Sequence, residues 1–301
     1  MTFKLTCRSK LMAGKTCLVT GATDGIGRAT ALELAHMGAD VVIVGRNQAK
    51  CAATAIDMRE ESGNASVEYL VADLSSQEEV RRLADEFKQC HQTLDVLVNN
   101  AGAIHLSRKN SADGIEMTFA LNHLSYFLLT NLLLDVLSAS ASARVVNVAS
   151  SVHMKAKLDL FDVHAPRRYA GLRTYSRSKL CNVLFTYELA RRLEGTGITA
   201  NALHPGLVAS NILKNNGILG RFLNMVLGVK GISAKAGALT SVYAASSPEM
   251  EGVSGKYLDK KQVVRSSTCS YDEARAAALW ELSASLTGIP ATSPVSSLPV
   301  G

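Results

Sequence analysis

Short apolar runs alternate along the chain with longer stretches whose apolar residues recur at helical spacing. The stretch Asp40–Val44 shows the strand pattern most clearly, because it is continuously apolar after its first residue and rich in β-branched side chains. A parallel strand that is covered on both faces has this pattern. Strands are predicted at the run that ends in Val19 and at 40–44, 67–71, 94–98, 144–149, 199–203 and 255–258. Helices are predicted at 28–37, at 48–61, after Ser75 and Ser76, and at 114–137, 174–193, 233–245 and 271–286.

The regular alternation of strand and helix implies right-handed βαβ crossovers and a parallel sheet. We therefore predict an α/β fold with a doubly wound parallel sheet of the Rossmann type, in a single domain. The domain is predicted to span 15–288, with an N-terminal extension at 1–14 and a flexible tail at 289–301 that is rich in Ser and Pro. In such a fold, ligands bind outside the carboxyl ends of the strands.

Composition and charge narrow the class of protein further. Hydrophobic residues make up 47% of the 301 residues and charged residues 19%, which is typical of a globular chain. The net charge of +6 is spread along the chain without a basic block, so nucleic-acid binding is not favoured. Phosphates of an anionic cofactor or an anionic membrane surface would explain this charge as well.

The six cysteines include no Cys-x-x-Cys pair, and Met1–Lys15 has no apolar run of the length of a signal peptide or membrane span. These features predict reduced thiols and a cytoplasmic location, with peripheral membrane contact left open. The histidines have no metal-ligand spacing of the His-Glu-x-x-His kind, so packing or hydrogen-bonding roles are favoured and no metal is expected. Of the seven histidines in the chain, those that invite a metal interpretation are His105, His123, His153, His164 and His204.

The first strand runs into the stretch Thr20-Gly21-Ala22-Thr23-Asp24-Gly25-Ile26-Gly27, and a helix follows directly. A glycine turn between a strand and a helix directs the free N–H groups of the helix N-terminus to one spot. Because glycine has no side chain, a pyrophosphate can approach the backbone there. The spacing differs from Gly-x-Gly-x-x-Gly, so this stretch alone also fits a tight structural connection.

Tyr175 and Lys179 are four residues apart in a predicted helix and therefore lie on one face. A phenol titrates near ~10, and a neighbouring ammonium favours the phenolate. The pair can therefore serve in proton transfer to or from an alcohol or carbonyl oxygen.

Together, these motifs resemble the ordered motif set of the short-chain dehydrogenase/reductase family, over about Lys15 to Leu258. The matching positions are Gly21-x-x-x-Gly25-Ile26-Gly27, Asn99-Asn100-Ala101-Gly102, Asn122, Ser150 after the fifth strand, Tyr175-x-x-x-Lys179 and Pro205-Gly206. The Ser150–Tyr175 interval, Val148-Ala149-Ser150-Ser151 and His204-Pro205-Gly206 resemble the retinol-dehydrogenase-like branch more closely.

The resemblance implies specific roles for these residues. Tyr175 would transfer the proton, and Ser150, with Ser151 as the alternative, would bond the substrate oxygen. Lys179 would tune Tyr175 and hold the nicotinamide ribose, and Asn122 would hold a water that links Lys179 to solvent. The residues implied in cofactor binding are Gly21, Thr23, Asp24, Gly25, Ile26, Gly27, Arg46, Asp73, Leu74, Asn99, Ala101, Gly102, Tyr175, Lys179, Pro205, Gly206 and Val208.

Arg46, just past the second strand, indicates which nicotinamide cofactor is preferred. An acidic residue there would bond the ribose 2′-hydroxyl of NAD, whereas a guanidinium matches a 2′-phosphate in charge and geometry. Neither Gly45 nor Arg46 is acidic, so NADP(H) is predicted.

The stretch 208–231 is apolar and interrupted by glycines. It is predicted to be a lid over an apolar substrate, with a membrane-touching patch and a plain core helix as alternatives. The predicted function is NADP(H)-dependent interconversion of an apolar carbonyl, such as a retinoid, a sterol or another lipophilic aldehyde or ketone, and its alcohol. An NADPH-binding sensor or partner protein with little turnover is the alternative, and a homodimer is left open.

Overall fold

The structure is a computed structural model that describes residues 11–160, 162, 169–206, 212, 216 and 232–291. Val208 and all of the predicted lid except residues 212 and 216 lie outside the described residues, as do His164, most of the N-terminal extension and most of the tail. Within the described part of the chain, no helix is both long enough and apolar enough to cross a membrane.

A single eight-stranded sheet forms the centre of the molecule, with the strand order β3-β2-β1-β4-β5-β6-β7-β8. Neighbouring strands are parallel from β3 through β7, and β8 pairs with β7 in the antiparallel direction. The strands are β1 Thr16–Thr20, β2 Asp40–Gly45, β3 Val67–Val71, β4 Val96–Asn99, β5 Arg144–Val148, β6 Thr199–His204, β7 Lys256–Asp259 and β8 Gln262–Val264. The predicted doubly wound parallel sheet of the Rossmann type is confirmed. The strand order reverses between β1 and β4, which opens a crevice at their carboxyl ends.

Helices cover both faces of the sheet, and side chains of the strands alternate between two cores. On β1, Leu18 packs into one core with Phe87 and Trp280, whereas Cys17 and Val19 pack into the other. The helices are α1 Gly25–His36, α2 Gln48–Ser62, α3 Gln77–Cys90, α4 Met117–Phe119, α5 Ser125–Leu132, α6 Leu134–Ser138, α7 Gly171–Arg192, α8 Ala234–Ser246 and α9 Glu273–Thr287. Burial of apolar residues on both faces explains why the strands read as continuous apolar runs.

The helical stretch predicted at 114–137 begins later and is not uniform. It starts at Met117 because the buried Glu116 carboxylate accepts hydrogen bonds from the backbone N–H groups of Thr118 and Phe119. A π-helical turn then spans Ala120–Leu124 and joins α4 to α5. Turns of this type occur often at functional sites.

The last predicted strand has a partner that the sequence analysis did not predict. β7 turns through Lys260 and Lys261 into the short β8, and both lysines have positive φ values, 50° and 65°. Such a turn normally carries Asn or Gly, so the usual sequence signal of a hairpin is missing here.

Candidate active site

The glycine turn after β1 is packed too closely for side chains. Gly21 has a φ of 64°, and a Cβ there would lie 2.9 Å from the Cα of Ala101. A Cβ on Gly27 would overlap the carbonyl oxygen of Gly21, so the first turn of α1 can lie directly against the loop. The Asp24 carboxylate caps this helix by accepting a hydrogen bond of 2.8 Å from the Gly25 N–H.

A cleft opens beside this turn, at the carboxyl ends of β1, β2 and β4. Most of the residues predicted to bind a cofactor line it together: Gly21, Thr23, Asp24, Gly25, Ile26, Gly27, Arg46, Asp73, Leu74, Ala101 and Gly102. The sequence analysis did not predict the other lining residues, which are Val44, Gly45, Ala72, Asn100, Ala103, Leu121 and Ile212.

Asn99 and Asn100, at the end of β4, direct their side chains into the core and toward the cleft, respectively. Asn99 is fully buried, and its side chain donates hydrogen bonds to Thr130 and Asn147 inside the core. Asn100 lines the cleft instead and donates to the main-chain carbonyl of Thr20 at 2.8 Å. Asn99 therefore supports the end of the strand from within the core, and Asn100 borders the cleft.

The buried Thr20 hydroxyl fixes the loop after β4 against β1. Its oxygen accepts hydrogen bonds from the backbone N–H groups of Asn100, at 2.8 Å, and Ala101, at 3.1 Å. The Tyr126 hydroxyl donates to the Ala101 carbonyl at 2.9 Å from the other side. The floor of the cleft is thus held on both sides by buried hydroxyl groups.

Positive charge lies at the end of β2. Arg46 lines the cleft directly after Gly45, where a Cβ would clash with Thr23 and with the Cys51 sulfur. The Lys50 ammonium pairs with the Asp24 carboxylate at 3.2 Å across the neighbouring helix starts. An anion in this part of the cleft would meet the guanidinium of Arg46 and the N-terminus of α1.

Tyr175, Ser150 and Lys179 come together beyond the far end of the cleft. Ser150 follows β5, while Tyr175 and Lys179 lie one turn apart on α7. The Ser150 side chain lies near enough to the Tyr175 hydroxyl to lower its pKa, and the Lys179 ammonium donates to the Val148 carbonyl at 2.8 Å. Lys179 Nζ lies 5.8 Å from the centroid of the Tyr175 ring.

Burial acts on the protonation of Tyr175 and Lys179. It raises the pKa of Tyr175 to about 12, against a smaller lowering by the hydrogen bond with Ser150. It also lowers the pKa of Lys179 to about 7. The sequence suggested that an ammonium would favour the phenolate; in the structure, loss of hydration raises the pKa of Tyr175 instead, and the phenol is neutral at neutral pH.

Asn122 lies in the π-helical turn, and its side chain is hydrogen-bonded to the backbone of Ala103 and to the hydroxyl of Ser178. Its oxygen accepts from the Ala103 N–H at 2.9 Å, and its amide donates to the Ala103 carbonyl at 3.0 Å and to Ser178 at 3.1 Å. Gly102 separates this side chain from Lys179. A Cβ on Gly102 would lie 3.2 Å from Asn122 Oδ1 and 3.6 Å from Lys179 Nζ. The cleft and the Tyr175 group are therefore parts of one site that meet at Gly102.

Pro205 and Gly206 follow β6 at the same edge of the sheet, although they are not among the residues that line the cleft. Gly206 has a φ of 87°, and a Cβ there would lie 2.7 Å from Ile232. Val208, the remaining predicted cofactor residue, lies outside the described residues.

The sequence matches the short chain dehydrogenase family model over residues 15–217, and the chain belongs to this family. It is similar to retinol dehydrogenase 14 of Mus musculus, with 43% identity over 292 residues that cover 93% of this chain and 87% of the relative. It is also similar to polyprenol dehydrogenase of Homo sapiens, with 40% identity over 282 residues, 91% of this chain and 86% of the relative. These relatives place it in the retinol-dehydrogenase-like branch, among oxidoreductases that act on alcohols and carbonyls.

Solved structures have the same fold. An uncharacterized protein from Mycobacterium paratuberculosis matches with a TM-score of 0.76 and 35% identity, over 94% of this chain and 97% of that one. The RhlG/NADP active-site complex of Pseudomonas aeruginosa matches with a TM-score of 0.66 and 27% identity, over 83% of this chain and 96% of that one.

Proposed function

We propose that this protein is an NADP(H)-dependent oxidoreductase that interconverts an apolar carbonyl compound and its alcohol. The observation that carries the proposal is the meeting of Tyr175, Ser150 and Lys179 at the end of a glycine-lined cleft. A protein that only sensed a nucleotide would have no chemical need for a buried phenol beside both a serine and a buried lysine.

The residues of the cleft fit a dinucleotide phosphate. The N-terminus of α1 offers backbone donors to a pyrophosphate, and the close glycine packing at Gly21 and Gly27 keeps side chains out of its way. Arg46 supplies a guanidinium where the 2′-phosphate of NADP would lie, and no acidic residue ends β2. The family relative from Pseudomonas aeruginosa, which was solved with NADP, supports the same choice.

When bound, the nicotinamide supplies or accepts the hydride. In the reductive direction, the neutral Tyr175 hydroxyl donates its proton to the carbonyl oxygen, and Ser150 donates a second hydrogen bond to the same oxygen. Lys179 would hold the nicotinamide ribose and, when protonated, would stabilise the phenolate that is left. Asn122 has a second oxygen lone pair with which it can hold the water that returns a proton toward Lys179.

An apolar substrate fits the surroundings of Tyr175. The ring packs with Ile104, and Leu106 and Ile212 lie against this pair. The names of the two relatives given above, a retinol dehydrogenase and a polyprenol dehydrogenase, also indicate lipophilic alcohols. We propose that the stretch 208–231 is the lid over this substrate and that 15–288 is the catalytic domain.

The test is NADPH consumption by the purified protein with all-trans-retinal, alongside the Tyr175→Phe variant. Removal of the hydroxyl leaves the packing nearly unchanged, and we expect kcat to fall by about 100- to 10,000-fold while NADPH still binds. A wild-type protein that binds NADPH and turns over no carbonyl in a panel from short aldehydes to retinal would favour the sensor alternative. Full activity in Tyr175→Phe would show that the proton comes from another group.

A further inference from the structure

His153 is a fully buried residue beside Ser150, in the short 3₁₀ helix Ser151–Lys155 that follows β5. The Ser150 carbonyl oxygen accepts two hydrogen bonds from it, one from the His153 backbone N–H at 3.2 Å and one from ring Nδ1 at 2.6 Å. The main chain at Ser150 is therefore held by the imidazole as well as by the helical turn.

The other ring nitrogen fixes the tautomer. The backbone N–H of Ser267 donates to His153 Nε2 at 3.2 Å. Because a backbone N–H can only donate, Nε2 carries no proton, and the proton on Nδ1 is the one that Ser150 accepts. Burial lowers the pKa of His153 and so maintains this neutral form.

The ring is also fixed by packing. It contacts the ring of Tyr257 on β7 edge to face, with the centroids 4.8 Å apart. The imidazole thus joins three segments: the end of β5, strand β7, and the chain at Ser267 after β8. The polar groups of Ser150 have different partners, since its carbonyl accepts from His153, whereas its hydroxyl accepts from the Val152 N–H at 3.4 Å and lies near Tyr175.

We propose that His153 is a positioning residue, which holds the Ser150 main chain so that the Ser150 hydroxyl meets the Tyr175 hydroxyl and the substrate oxygen. This inference rests on the proposed function, because it assigns to Ser150 the second hydrogen bond to the reacting oxygen. His153 is not among the residues that line the cleft, so its effect is expected on the chemical step and not on cofactor binding.

The experiment compares three variants with the wild type in carbonyl reduction and in NADPH titration. His153→Phe keeps an aromatic ring against Tyr257 but removes both ring hydrogen bonds. His153→Asn can still donate to the Ser150 carbonyl, since its amide nitrogen lies where Nδ1 does. Ser267→Ala is the matched control, because the bond to His153 comes from the Ser267 backbone and its hydroxyl has no hydrogen-bond partner in the described structure.

We expect His153→Phe to lower kcat by about 10- to 100-fold, because small misplacements of a catalytic group have effects of this size. The NADPH dissociation constant should stay unchanged, His153→Asn should recover most of the activity, and Ser267→Ala should match the wild type. Equal loss of activity in His153→Phe and His153→Asn, or weaker NADPH binding in step with kcat, would mean that the histidine only supports the fold, and would overturn the proposal.

Crystal structures of both His153 variants give a readout that needs no turnover. The Ser150 hydroxyl should be displaced from Tyr175 in the Phe variant and in place in the Asn variant. If it is in place in both, the positioning role is wrong even where the wild type is active. If it is displaced as expected but the wild type reduces no carbonyl, the proposed function fails while the structural role of His153 stands.

Discussion

Burial favours the uncharged forms of both Tyr175 and Lys179, by raising the pKa of one to about 12 and lowering that of the other to about 7. Near neutral pH the phenol thus keeps its proton, while the lysine is close to its titration midpoint. A neutral phenol is the form that can give a proton to a carbonyl oxygen. A half-titrated amine can exchange protons at little cost. In the proposed reaction, Tyr175 would therefore give the proton and Lys179 would take part in restoring it.

The pKa of Lys179 makes a prediction for the stability of the cofactor-free protein. Its folded value of about 7 lies below the ordinary 10.5, so the unfolded chain binds more protons between these values and stability rises with pH in this window. Below pH 7, Lys179 is charged in the folded protein, and the full cost of burying this charge lowers the free energy of unfolding. Lys179→Met removes this cost, and we expect the variant to be more stable than the wild type by a few kcal/mol at pH 6, with a smaller difference at pH 9.

Urea unfolding of both proteins at the two pH values measures this difference directly. Lys88→Met serves as the control, because that lysine pairs with Asp135 at the surface and carries the same charge. An advantage of Lys179→Met that does not shrink as the pH rises would show that Lys179 is not titrating in the folded protein.

Arg46 makes a prediction for cofactor choice. Arg46→Glu replaces a guanidinium that fits a 2′-phosphate with a carboxylate that repels it and accepts from a 2′-hydroxyl. A hydrogen bond to a charged group is worth about 1.5–3 kcal/mol, so NADPH binding should weaken by about 10- to 100-fold while NADH binding improves. Fluorescence titration with each cofactor measures both constants.

The control for Arg46→Glu is Arg82→Gln, which removes an arginine that pairs with Glu79 and Glu86 on α3, and which should leave both constants unchanged. Parallel weakening of NADPH and NADH in Arg46→Glu would show that Arg46 supports the cleft and does not select the cofactor.

At the residue scale, sequence spacing was sufficient to predict which way some side chains point, and it was ambiguous for others. Tyr175 and Lys179 could be paired because a separation of four residues fixes a common helix face. Asn99 and Asn100 could not be told apart, since adjacent residues at a strand end point in opposite directions and either could face the ligand. The structure turns Asn99 inward because Asn147, its register partner on β5, offers a buried acceptor.

The elements of the chain were predictable where periodicity alone decides them, and less so where a side-chain contact sets a boundary. Seven strands lie within a few residues of their predicted positions. The start of α4 depends on the Glu116 cap, and the π-helical turn at Asn122 depends on bonds to the distant Ala103. No local pattern carries this information. β8 was missed because its turn is made by lysines.

The turn between β7 and β8 predicts a stabilising substitution. Lys260 and Lys261 both adopt positive φ values, which cost a residue with a Cβ roughly 1–2 kcal/mol each. The double substitution Lys260→Asn and Lys261→Gly gives the pair that this turn prefers, and we expect the free energy of unfolding to rise by about 1 kcal/mol.

Urea denaturation measures the effect of the double substitution. Lys256→Gly is the matched control, because it places glycine within β7, where the added backbone entropy should lower stability by about 0.5–1 kcal/mol. If the turn variant is no more stable than the wild type, the lysines do not hold the strained conformation in solution.

At the scale of the whole molecule, the alternation of strands and helices was enough to predict the architecture. Right-handed crossovers and buried parallel strands leave few ways to arrange such a chain. The position of the cleft also follows from the fold, because the reversal of strand order beside β1 brings its carboxyl end next to the loop after β4. Which helix ends meet over the cleft could not be predicted, since that depends on packing between distant segments.

The packing of the whole molecule also predicts how its thiols react. Cys17, Cys51 and Cys181 are buried, and burial raises the pKa of each of them, whereas Cys90 is exposed. Because the thiolate is the reactive form, an alkylating reagent at neutral pH should modify Cys90 before the other cysteines that the structure describes, with the partly buried Cys269 next. The buried three should react only as fast as the domain unfolds.

Peptide mapping by mass spectrometry at increasing times identifies each modified cysteine. Addition of urea to the midpoint of unfolding should bring Cys17, Cys51 and Cys181 to a common rate. Early modification of Cys17 or Cys181 in the native protein would contradict the prediction, because it would show that these thiols are exposed without unfolding of the domain.

The chain has one tryptophan, Trp280, and its ring is almost fully buried between aromatic side chains. Its centroid lies 4.9 Å from that of Phe127 and 5.9 Å from that of Phe185, and the Arg192 guanidinium covers it at 4.3 Å. None of these residues borders the cleft. The tryptophan fluorescence of the protein therefore reports on the packing of one core. It can tell a variant with a damaged interior from one that is intact but chemically silent.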